Sequence, residues 1–257
     1  MIQPEPPDGP ARPDRTEPAE NTAARRAEIT AGLSAVQARI ATACQQAGRD
    51  VSEITLVAIT KTHPPTDVRL LAELGVRDVG ENRDQEASAK VAACERLGVT
   101  NLTWHFVGQL QTNKAASVAR YAQVVHSVDR DRLVRALGTQ ASRAGRTLTC
   151  LIQVSLDENP DGRGGAAPAQ VPALADTVAG TEGLALGGVM AVAPLGAPAG
   201  PAFARLAEIA AGVRAAHPGA TMISAGMSGD LEEAISAGAT HVRVGTALLG
   251  ARSTFVG

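Results

Sequence analysis

Between Thr22 and Gly48 the apolar residues Ile29, Leu33, Val36, Ile40 and Cys44 recur every three or four positions. That spacing is the buried stripe of one amphipathic helix, closed by Gly48. Beyond Gly48 the period changes. Short apolar runs at roughly 54–60, 77–80, 103–107, 124–128, 148–155, 185–191, 220–224 and 240–245 alternate with longer segments near 65–74, 83–97, 111–120, 130–143, 168–179, 201–216 and 229–237. The runs predict strands and the longer segments helices, which implies βαβ units and a parallel sheet. Eight strands are the complement of a single (β/α)8 TIM-type barrel, with the opening helix as an extra one. A doubly wound open sheet is the competing arrangement, because alternation alone does not close a barrel. Residues 1–22 hold little to bury and read as a disordered tail. Residues 23–257 read as one α/β domain.

Composition narrows the function classes. The 257 residues carry a formal net charge of −2 and only 2% aromatics, so neither a basic nucleic-acid footprint nor a base-stacking platform is expected. No apolar run approaches the length of a membrane span and no signal-peptide pattern opens the chain, which predicts a cytoplasmic protein. Cys44, Cys94 and Cys150 lack metal-ligand spacing and are expected to be reduced and packed as small apolar residues. No metal site is predicted.

The candidate chemistry gathers at the C-terminal ends of the strands, where a closed barrel carries its site. The run Ile54–Thr60 leads straight into Lys61, and Pro64-Pro65 then stop the strand. A strand-end lysine either reaches for solvent or is kept for chemistry, such as a Schiff base with an aldehyde. Gly80-Glu81-Asn82 follows the second strand, and His105 lies in the third. Met190 lies in the sixth, Ser224-Ala225-Gly226-Met227-Ser228-Gly229-Asp230 ends the seventh, and Arg243-Val244-Gly245-Thr246 ends the eighth. The last two loops are small and Gly-rich and precede helices, so backbone N–H groups can approach an anion closely. The plainer reading is tight turns with Asp230 as a helix cap, but two adjacent loops with a hydroxyl in each favour the phosphate site. Lysine facing a phosphate-binding rim suggests a phosphorylated aldehyde, with pyridoxal 5′-phosphate foremost and a Schiff-base aldolase acting on sugar phosphates as another possibility.

These stretches resemble the pyridoxal phosphate homeostasis protein family, the YggS/PROSC-like proteins. The resemblance is carried by Ala58–Thr62, Gly80–Asn82, Trp104–Gly108 with Leu110-Gln111 and Asn113-Lys114, Gly188–Ala191, Ser224–Asp230, and Val242–Thr246 through Leu249–Arg252, in family order over roughly residues 27–253. It implies a barrel like the N-terminal domain of alanine racemase, the PLP fold type III, with the cofactor held as a Schiff base on Lys61. It also implies a phosphate held by Ser224, Gly245 and Thr246 with Gly226 and Met227 close by. Arg243 would face the pyridine nitrogen, Asn82 and Met190 would line the cofactor, and His105 would lie near it. Each role has a plainer rival. His105 can be a satisfied core histidine, Arg243 can pair with Glu81 or Asp230, and Met190 can be barrel filling. Where many relatives carry a lysine used for secondary cofactor handling, this chain has Arg163, with Pro160 nearby, so that role for the 157–165 loop is not carried over.

No catalytic residue is established by the sequence. A racemase of this fold needs a second acid/base group opposite the lysine, and the one tyrosine, Tyr121, falls inside a predicted helix. The expected function is therefore pyridoxal phosphate homeostasis: storage, buffering or delivery to apo-enzymes, by a monomer without robust turnover. The alternative is a small single-domain pyridoxal phosphate-dependent amino-acid racemase.

Overall fold

A computed structural model describes residues 19–157 and 164–250. Eight parallel strands follow in chain order: β1 (Thr55–Ile59), β2 (Asp78–Glu81), β3 (Thr103–Phe106), β4 (Val124–Val128), β5 (Leu148–Gln153), β6 (Leu184–Met190), β7 (Met222–Ser224) and β8 (His241–Val244). Each pairs with the next, and β8 pairs with β1 through Thr55↔His241 and Val57↔Arg243, so the sheet closes into a barrel. The open-sheet alternative is excluded by that last pairing. The helices are α1 (Ala19–Ala47), α2 (Pro65–Glu73), α3 (Asp84–Arg96), α4 (Ala115–Tyr121), α5 (Asp131–Arg143), α6 (Val171–Ala179), α7 (Ala199–Ala216), α8 (Leu231–Ser236) and α9 (Thr246–Leu249). Most expected boundaries hold to within two or three residues. The four-residue α9 was not anticipated, because it is one short turn over which no periodicity can show. Of the expected tail, residues 1–18 lie outside the described residues, and α1 begins at Ala19.

Two apolar layers form for a simple reason. Strand side chains alternate between faces, and the outward positions meet the inward stripes of the helices. Ala58, Val79, Phe106, Cys150 and Val242 thus join Val68, Leu71, Leu133, Leu137 and Leu206 in the main core. The three cysteines are free and buried, and burial pushes the Cys150 thiol up to about 12. Inside the barrel a much smaller apolar cluster, Val124, Leu151 and Met190, packs with Val192 and Met222. Val57 and Ile59 of β1 add to the apolar lining, and His105, His126, Ser224 and Arg243 bring buried polar groups into a barrel centre that is commonly filled by Val, Ile and Leu.

The extra helix α1 lies outside the barrel against α8 and α9. Gly32 makes this approach possible, since a Cβ there would sit 2.3 Å from the Leu248 carbonyl oxygen. Arg39 on the same helix forks onto Glu232 at 2.7 and 2.8 Å and donates to the Ser228 carbonyl at 2.9 Å. Arg25 donates to Asp67 and to the Leu249 carbonyl. The helix therefore fastens the loops that follow β7 and β8.

Candidate functional site

A cleft of about 400 Å³ opens at the C-terminal rim, within the size range of small-molecule sites. Lys61, Asn82, Met190, Met227, Arg243, Gly245 and Thr246 line it, together with Ile59, Val107, Gly108, Val192, Ser228 and Gly229. Seven of the ten residues singled out in the sequence thus share one wall-to-wall space. The other three, His105, Ser224 and Gly226, lie behind it.

Lys61 is partly exposed, and its ammonium has no hydrogen-bond or ion-pair partner among the described residues. The backbone beneath it is held tightly. Buried Lys90 donates to the Thr60 carbonyl at 2.6 Å, to Glu81 Oε1 at 2.6 Å and to Glu86 Oε1 at 3.0 Å. The Thr60 hydroxyl donates to the same Glu81 oxygen at 2.6 Å. Thr62 adopts φ 68, the single left-handed non-glycine among the described residues, and its N–H donates to Glu86. A β-branched residue is costly in that conformation, and the Lys90 network sets the strand end that turns there. Glu81 is therefore occupied by Lys90, not by Arg243.

The two Gly-rich loops face Lys61 across the cleft. A Cβ on Gly226 would lie 2.6 Å from the Ala234 Cβ, so this glycine serves the close packing of its loop on α8. A Cβ on Gly229 would meet nothing within 4 Å, which leaves backbone open to the cleft. Ala247 N donates to the Ser228 hydroxyl at 3.3 Å and ties the two loops together. Asp230 stands at the start of α8, but its carboxylate turns back to accept from Met227 N at 2.6 Å instead of capping the helix.

Ser224 points into the barrel. Arg243 Nη1 donates to its hydroxyl at 2.6 Å, Arg243 Nη2 donates to the Ala191 carbonyl at 2.9 Å, and His126 Nδ1 lies 2.9 Å from the same hydroxyl. His126 Nε2 is 2.8 Å from His105 Nδ1, and His105 Nε2 is 3.0 Å from Asp78 Oδ1. His105 is thus a satisfied interior histidine. Burial holds His126 well below the usual imidazole range, and the neighbouring Arg243 guanidinium acts in the same direction. Burial also lowers the Arg243 guanidinium to about 10, with Asp230 pulling the other way.

The alanine racemase N-terminal domain profile matches residues 32–253. The pyridoxal phosphate homeostasis protein of Mycobacterium bovis is 45% identical over 245 residues, covering 89% of this chain and 94% of that protein. The homeostasis protein of Escherichia coli K12 is 38% identical over 233 residues, covering 88% and 97%. The chain belongs to the pyridoxal phosphate homeostasis protein family. Among solved structures, PipY of Synechococcus elongatus PCC7942, determined with PLP bound, has a TM-score of 0.73 at 34% identity and covers 84% of this chain and 100% of that one. Alanine racemase of Corynebacterium glutamicum, at 13% identity and a TM-score of 0.63, shares the fold.

Within this member of the homeostasis family, sequence reasoning passed over His126, Ser228, Gly229 and Lys90 as site residues. His126 did leave a signal, a polar residue at an alternate position of the apolar run Val124–Val128. Lys90 left none, since a lysine on a helix is ordinarily solvated. The 158–163 part of the loop carrying Pro160 and Arg163 lies outside the described residues.

Proposed function

We propose that this protein holds pyridoxal phosphate in the rim cleft and serves the homeostasis of that cofactor by storing, buffering or delivering it, without robust amino-acid turnover. The observation that carries the reading is Lys61, a strand-end amine with no partner among the described residues, facing two small-residue loops and a buried arginine across one cleft. When bound, the cofactor supplies an aldehyde that reacts with amines and a dianionic phosphate. The residues present fit both groups. Lys61 would anchor the aldehyde. Ser228, Gly229, Gly245 and Thr246 would take the phosphate, a role for which the Ser228 hydroxyl is better placed than the interior Ser224. Arg243 would face the ring nitrogen and disfavour its protonation. Asn82, Met190 and Met227 would form the walls.

The position of Tyr121 supports holding over turnover. It lies at the end of α4 with 8% of its surface exposed, and burial raises the pKa of its hydroxyl. It does not line the cleft, so it cannot serve as an acid/base partner opposite Lys61. The reading extends to a cytoplasmic monomer whose recipients are apo-enzymes that use the same cofactor. In its favour, the charge is near neutral, and no helix among the described residues is long and apolar enough to cross a membrane.

Purified protein incubated with pyridoxal phosphate should develop a visible absorption band. Borohydride reduction and peptide mapping should then place the adduct on Lys61. Lys61→Ala should lose the reducible adduct while keeping weaker non-covalent uptake. Racemase, decarboxylase or transaminase turnover at ordinary enzyme rates would overturn the homeostasis reading in favour of the racemase one.

A further inference from the structure

We propose that Ser224, His126, His105 and Asp78 form a positioning relay for Arg243, holding its guanidinium charged and immobile at the cleft and thereby keeping the ring nitrogen of the bound cofactor unprotonated. The part concerning the cofactor rests on the function proposed above; the relay itself rests on the side chains alone.

With both imidazoles neutral, the relay has one consistent polarity. Arginine donates and cannot accept, while an ionised carboxylate accepts and cannot donate. Arg243 at one end and Asp78 at the other then fix every bond that the neutral rings make between them. The Arg243 Nη1–H donates to Ser224 Oγ, and the Ser224 hydroxyl must then donate to His126 Nδ1. His126 Nε2–H donates to His105 Nδ1, and His105 Nε2–H donates to Asp78. Both imidazoles then share the Nε2–H tautomer. A charged His126 would present a second N–H to Ser224 and leave the serine proton without this acceptor. Asp78, whose side chain is 25% exposed, is the solvated end of the chain, and the interior members are buried.

The surroundings of Arg243 make such a device necessary. It is 5% exposed and has no ion pair among the described residues. Glu81 is occupied by Lys90, and Asp230 accepts from Met227 N. The neighbouring His241 lies 6.3 Å, ring to ring, from His105, and its Nδ1 is 2.8 Å from the Thr240 hydroxyl, so it stands beside the relay without joining it. A buried cation without a carboxylate partner needs oriented dipoles, and hydrogen bonds aligned in one direction polarise one another. The aligned run from Arg243 to Asp78 supplies them. Apolar filling of the barrel centre would not.

Nitrogen-15 NMR of the imidazoles in protein free of pyridoxal phosphate tests the relay directly. His105 and His126 should both appear as neutral Nε2–H tautomers through neutral pH, and Ser224→Ala should shift the His126 Nδ1 signal. A charged His126, or one protonated at Nδ1, overturns the proposal. In protein loaded with pyridoxal phosphate labelled at its ring nitrogen, the wild type should show that nitrogen unprotonated. Ser224→Ala should move the signal towards the protonated form and weaken binding about tenfold, the effect of losing a hydrogen bond to a charged group. Ser224→Thr, which keeps the hydroxyl, should restore both. An unchanged ring-nitrogen signal and unchanged affinity in Ser224→Ala overturn the positioning role. If the wild type takes up no pyridoxal phosphate, the proposed function fails, and the histidine tautomers still decide the relay.

Discussion

Lys90 Nζ stands 2.6 Å from Glu81 Oε1, and the same ammonium donates to the carbonyl of Thr60, the residue before Lys61. A buried ion pair outside the barrel wall thus holds the strand end that presents the cleft amine. The two residues come from β2 and α3, nine positions apart, and neither lines the cleft with its charge.

Removing one partner of this pair leaves the other charge buried and uncompensated. Lys90→Met should therefore destabilise the fold by about 3–5 kcal/mol. The double variant Lys90→Met/Glu81→Gln should recover much of that loss. Urea denaturation of the wild type, both single variants and the double variant measures both effects, and additive losses in the double variant would contradict the pairing.

The glycines of the cleft separate stability from binding. A Cβ on Gly108 would lie 2.0 Å from the Asn82 carbonyl oxygen, backbone against backbone. Gly108→Ala should lower both thermal stability and affinity for pyridoxal phosphate. A Cβ on Gly229 would meet nothing within 4 Å, so Gly229→Ala should leave unfolding within about 0.5 kcal/mol of wild type and still weaken pyridoxal phosphate uptake. Calorimetry and a binding titration on the two variants check the contrast.

Asp67 is 3% exposed and lies 2.6 Å from Arg25 Nη2. Burial alone would raise its pKa, but hydrogen bonds from His63 and Arg25 outweigh burial and hold the carboxyl below its ordinary value. A depressed carboxyl stabilises the fold above the unfolded value, about 3.9, and that stabilisation is lost as pH falls through the folded value. Asp67→Asn should cost roughly 1–3 kcal/mol at neutral pH and reduce the steepness of acid unfolding below about pH 4. Denaturation curves across that range provide the measurement.

His241 behaves with the opposite charge. Burial first, then the nearby His105 ring and Arg243 guanidinium, lower its pKa to about 4. The folded state keeps it neutral while the unfolded chain takes up a proton near pH 6.5. Its contribution is therefore complete above about pH 6.5, declines as pH falls, and levels off near 4, a change on the order of 3 kcal/mol. His241→Asn should remove this component of the stability–pH profile, and an unaltered slope between about pH 6.5 and 4 would refute the assignment.

Hydrophobic period alone was enough to lay out eight strands, the helices between them and one extra helix. Strand and helix rhythms are local properties, written in the spacing of Ile29 to Cys44 or of Ile54 to Thr60. The rim of the site was legible too, because strand ends in a barrel converge and Lys61, Arg243 and Thr246 each end or follow a strand. Ring closure, the burial of Lys90 and the path from Asp78 through His105 and His126 to Ser224 were decided only in three dimensions. Those contacts join residues from 9 positions apart, as in Lys90 and Glu81, to the first and last strands of the barrel, as in Thr55 and His241, and they depend on which side chains and strands the closed barrel turns towards one another. No local period records that choice.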